Sequence, residues 1–78
     1  MAFKELDTVV LLRDLPEHAL RAGDLGAVVQ VHAPHRLEVE FVRASGQTQA
    51  LVELTDQDVR QAGNQDLIAV RSVRPRGR

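Results

Sequence analysis

The residues with which this 78-residue chain would do chemistry are three histidines, one spaced pair of glutamates and two serines. His18, His32 and His35 are the only imidazoles. A zinc centre needs three or four converging nitrogen, sulfur or carboxylate ligands. The chain has no cysteine, and His32 and His35, which flank one turn, lack a matched set nearby. The histidines are therefore expected at turns and on the surface. Glu38 and Glu40 stand two apart in a strand pattern, which puts them on one side about 7 Å from each other and imitates a catalytic carboxylate pair. A solvated face gives neither the burial that raises a general acid's pKa. Ser45 falls at a turn and Ser72 near the chain end, with no base positioned beside either. No catalysis, metal or cofactor is expected.

The glycines of "RAGDLGAVVQV" (21–31) invite a second kind of chemistry, the cradling of phosphate. That cradle requires a strand before the glycines and a helix after them. Here alternating valines follow instead, so the stretch is expected to turn a corner. Gly23 supplies the positive φ of a tight turn with Asp24, and Gly26 sits at the strand entry, where a side chain would meet a neighbouring backbone. Pro34 and Gly46 are the other turn residues.

These positions must be held by strands, because the apolar residues recur with period two. "LEVEFVR" (37–43) alternates Leu37, Val39 and Phe41 with Glu38 and Glu40. "TQALVEL" (48–54) turns Ala50, Val52 and Leu54 inward and leaves Leu51 as an outward apolar exception. The "ASGQ" between them predicts a hairpin. "GAVVQVH" (26–32) is expected to direct Ala27, Val29 and Val31 inward and Val28 outward, ending where Pro34 cannot donate to a ladder. "DTVVLLRD" (7–14) is a continuous run, Val9 to Leu12, that implies burial on both faces or a bent strand. "DLIAVRSV" (66–73) is expected to close the sheet against it. "TDQDVRQAGN" (55–64) offers either one or two helical turns capped by Thr55, or a 3₁₀ turn at Asp56–Asp58 followed by a strand from Val59. The expectation is an all-β chain, a small closed barrel of five or six short strands with one helical or 3₁₀ turn before the last.

Length allows one domain, residues 1–73, followed by a disordered Arg-rich tail, 74–78. The net charge of −1 conceals an asymmetry. Arg71, Arg74, Arg76 and Arg78 face no acid in the last eight residues, whereas the preceding seventy carry six basic and eleven acidic side chains. An acidic body repels phosphate, and a short basic end attracts it. The absence of cysteine and of any long apolar run is in keeping with a cytoplasmic chain and no membrane.

The string "GDLGAVVQV" resembles the glycine-then-valine entry of SH3-like barrels, including the KOW type. The longer run "FKELDTVVLLRDLPEHALRAGDLGAVVQV" with "EVEFV" and "ALVEL" resembles a family of small, mostly bacterial proteins known as domain of unknown function 4926. The resemblance implies a free-standing SH3-like barrel with no established activity or ligand. It runs from Phe3 to about Val73. In one departure, Ala19 stands where the family pattern has glycine after "PEH".

Two functions are weighed. In the first, the chain is a protein-interaction module that docks a partner, such as a neighbouring gene's product in an operon or an antitoxin-like pairing, through its first long loop. That loop offers Asp14, Leu15, Pro16, Glu17, His18, Leu20 and Arg21, with Leu15 and Leu20 serving as either anchors or contacts. In the second, Arg71, Arg74, Arg76 and Arg78 bind phosphates weakly. The chain has no Tyr or Trp and two Phe, so it lacks the stacking platform of nucleic-acid-binding barrels. Protein binding is the expectation, and nucleic acid is not.

Overall fold

Alternation decides the middle of the chain. The computed structural model describes residues 2–73, so the expected tail 74–78 lies outside the described residues. β3 (Arg36–Val42) turns Leu37, Val39 and Phe41 inward, and β4 (Thr48–Thr55) answers with Leu54, Val52 and Ala50 directly opposite them. The inward positions of one strand thus meet those of the next, and Leu51 points outward as the period requires. Gly46, at φ +92°, provides the left-handed residue of the connecting turn.

β2 (Leu25–His32) departs from expectation. Gly26 and Val28 are buried, whereas Val29 and Val31 are exposed. A β-bulge sets the phase: Val28 pairs with Val39 and Gln30 with Glu38, so Val29 is an extra residue, and the side that Val31 shares with Leu37 passes upstream to Val28 and Gly26 rather than to Val29 and Ala27. Gly26 faces the core rather than a neighbouring backbone. A Cβ there would stand 2.6 Å from Val39 Cγ1 and 2.9 Å from Phe41 Cε2, so the missing side chain leaves room for two others.

β1 (Thr8–Leu11) lies between two neighbours, β2 on one side and β5 (Val59–Gln61) on the other. Val9, Val10 and Leu11 are all buried, so both faces of this strand are covered, whereas Leu12, the last residue of the apolar run, lies beyond the strand and is exposed. The strand that closes on β1 is therefore β5, three residues long, and not Asp66–Val73. Residues 62–73 contribute no strand. The result is one five-stranded antiparallel sheet in the order β4-β3-β2-β1-β5.

The helical option for residues 55–63 does not occur. Asp58 N–H bonds back to Thr55 O, and the Asp58 carboxylate accepts from Thr55 N–H, which makes a tight turn that releases the chain straight into β5. Among the described residues the 3₁₀ helix is Pro16–His18, in the first long loop instead of before the last strand. Pro16 at its start presets the helical φ, and Ala19 ends it in the left-handed conformation at φ +59°. It is a conformation that glycine adopts more readily than alanine.

Candidate interaction surface

The first loop is held from within. Leu15 and Leu20 are buried, pair with each other through both backbone hydrogen bonds, and join the core of the sheet. They are anchors, which leaves Pro16 and Glu17 exposed and His18 half-buried at the loop tip. Asp14 Oδ1 accepts from Ala22 N–H at 2.9 Å, and Gln49 of β4 donates to His18 O at 3.1 Å. Asp24 accepts from Arg21 N–H at 2.8 Å, which fixes the turn that Gly23, at φ +98°, makes possible.

Arg71 completes this assembly. Its Nε donates to Asp24 Oδ1 at 2.9 Å, Nη2 donates to Oδ2, and Nη2 also reaches Ala19 O at 3.0 Å. Burial alone would raise the Asp24 carboxyl, but hydrogen bonds from Arg71 and from Arg21 N–H outweigh it and hold the group below its ordinary value. The residue expected to attract phosphate is thus engaged by a carboxylate of its own chain. Arg74, Arg76 and Arg78 lie outside the described residues.

A second fork precedes it. Arg60 of β5 grips Asp66 with two 2.9 Å hydrogen bonds, and Asp66 also accepts from Gly63 N–H at 2.6 Å. These donors push the Asp66 carboxyl well below the usual carboxylate range. Between the two forks the chain carries Leu67, Ile68 and Val70, exposed by 92%, 81% and 96%. Among the described residues, 67–70 make no backbone hydrogen bond. An apolar stretch is therefore displayed between two ion-pair anchors. The sequence signal was an acid and a base bracketing "LIAV", which a strand reading absorbs.

The remaining candidates have local roles. On the outer face of the sheet Glu38 lies opposite Glu53, and Glu40 opposite Leu51. Arg36 donates to Glu53 at 2.9 Å, Thr48 to Glu40 at 2.6 Å, and His32 Nε2 stands 3.5 Å from Glu38. His35 Nδ1 is 2.9 Å from Asp56, in the turns at one end of the sheet. Among the described residues no three His, Cys, Asp or Glu side chains converge as metal ligands. Ser45 Oγ accepts from Gln47 N–H, a turn contact. Pro34 sits in the β2–β3 turn, after a cis peptide bond. A shallow cleft of about 410 Å³ is lined by the first loop together with Arg71, Ser72 and Val73. No described helix is long and apolar enough to cross a membrane.

No curated protein and no solved structure matches the chain. A family model does, over residues 5–61, and its match ends on the last residue of β5. The shared region therefore contains all five strands and the anchored first loop, and it leaves the displayed apolar stretch outside. On that match the chain belongs to the family described as Domain of unknown function (DUF4926).

Proposed function

We propose that this protein is a non-enzymatic protein-interaction module built on a small SH3-like barrel and acting in the cytoplasm. The pairing of β2 supports a barrel-like curvature with β4 and β5 as its two edges, because β2 pairs with β1 through its first residues and with β3 from Ala27 onward, with a bulge at Val29. The observation that carries the binding role is the display of Leu67, Ile68 and Val70. Three apolar side chains, nearly fully exposed and bracketed by ion pairs, are what a surface offers to a partner. The exposed tip of the first loop, Pro16 and Glu17, extends the surface across the shallow cleft.

The test is capture on immobilised full-length protein, compared with a variant carrying Leu67→Asp, Ile68→Asp and Val70→Asp. Wild type is expected to retain a protein in stoichiometric amount, its own kind included, that the variant loses. Equal retention by both, or retention by neither, overturns the reading. Phosphate binding by the basic end is the weaker alternative, since Asp24 engages Arg71.

A further inference from the structure

The sheet has an edge without a neighbour, and the chain has a strand-like segment without a sheet. β4, eight residues long, pairs with β3 on one side and, among the described residues, with no strand on the other. An open edge of this length is a template for another strand. Val52, which faces inward opposite the fully buried Val39, remains half-buried, so the core is incompletely covered beside this edge. Leu51, on the same strand, is 58% exposed. At the far end of the strand order, after β5, the displayed segment Leu67–Val70 combines β-favouring side chains with unused backbone donors and acceptors.

Resting on the protein-binding reading above, we propose that the occupant of the β4 edge is a second copy of this chain. The Leu67–Val70 segment of one protomer adds to β4 of its partner, and the exchange is reciprocal about a twofold axis. Charge selects the same occupant. The edge strand and its neighbour carry Glu38, Glu40 and Glu53 on their outer face, offset by Arg36. Beyond Arg71, which Asp24 engages, the segment leads into a stretch with three further arginines, Arg74, Arg76 and Arg78, and no acid. An acidic face and a basic extension on one molecule complement each other when two molecules meet head to edge. The ion pairs at Asp66 and Arg71 hold the segment out in advance, which lowers the ordering cost of docking.

The chain contains no cysteine, so crosslinking can be placed at will. One preparation carries Leu51→Cys and another Ile68→Cys, both at exposed positions. On mixing under mild oxidation the two are expected to form a mixed disulfide several-fold faster than either forms with a Glu5→Cys control, at an exposed position outside the proposed surface. Sedimentation of the wild type is expected to show a dimer, and the variant with Leu67→Asp, Ile68→Asp and Val70→Asp a folded monomer. A wild type that stays monomeric at millimolar concentration, or mixed disulfides no faster than the control, overturns self-association. If the capture difference between wild type and the triple variant persists in that case, the binding role stands and only the identity of the partner falls.

Discussion

Arg71 and Asp24 lie 47 residues apart in sequence and form a two-pronged ion pair, with the same guanidinium also donating to Ala19 O. One side chain thereby ties the segment after β5 to both the first loop and the entry of β2. Asp24→Asn removes the charge and weakens the fork. We expect a loss of about 1–2 kcal/mol in stability, read from the urea midpoint. Faster nanosecond backbone relaxation over residues 67–73, with β3 and β4 unchanged, would identify the loss as release of the segment.

Acid should act on the same contact. The carboxyls of Asp24 and Asp58 are raised by burial but lowered further by hydrogen bonds, from Arg71 in one case and Arg13 in the other, so both sit below their ordinary values. A depressed folded pKa contributes stability that is present above the unfolded value of about 3.9 and is lost as pH falls through the folded value. The urea midpoint is therefore expected to be insensitive to these groups above about pH 5 and to fall below about pH 4. Asp24→Asn should flatten that fall.

Ala19 holds a left-handed conformation without being glycine. Ala19→Gly relieves the Cβ strain while adding freedom to the unfolded chain, for a net gain of about 0.5–1 kcal/mol. Thermal or urea unfolding would reveal it, and a loss of stability would contradict the φ reported for this residue.

Gly26→Ala should act in the opposite direction. The added methyl would meet Val39 and Phe41 well inside van der Waals contact, in a packed core. A cost of about 1–3 kcal/mol is expected, with Val39→Ala in the same chain recovering part of it.

The two kinds of residue in the first loop separate cleanly by mutation. Leu15→Ala removes a buried side chain and should cost about 2–5 kcal/mol. Glu17→Ala, at an exposed position, should stay within about 0.5 kcal/mol. Comparable losses at both would mean that the loop is held by more than its leucines.

The hairpin of β3 and β4 was legible in the sequence because its alternation is regular and its partners are neighbours, Leu37 with Leu54 and Phe41 with Ala50. Gly23 and Gly46 were legible for a different reason, since their turns need a conformation that glycine adopts freely. β2 was misphased from Ala27 to Val29 because the extra residue at Val29 leaves no mark on composition, so an alternation counted back from Val31 takes the wrong face upstream of it. β5 was foreseen as one of two options, a strand from Val59, but its place beside β1 was not. Three residues, "VRQ", carry no period, and their pairing with β1 is a long-range event, whereas "DLIAV" has every local property of a strand and yet joins neither edge of its own sheet. The 3₁₀ helix had a usable signal in Pro16, which the competing acids at Asp56 and Asp58 obscured. Of the candidate surface, the anchoring leucines were foreseen as one of two options. The ion-pair forks were not, because nothing local predicts that Arg71 meets Asp24.

The pairing of Val9 with Gln61 bears on the order in which the molecule assembles during synthesis. The first strand to leave the ribosome waits, with one flank uncovered, for the last. Most of the polypeptide must emerge before that flank is closed, and a chain released early would keep its most apolar strand half-clad and open to adhesion with its siblings.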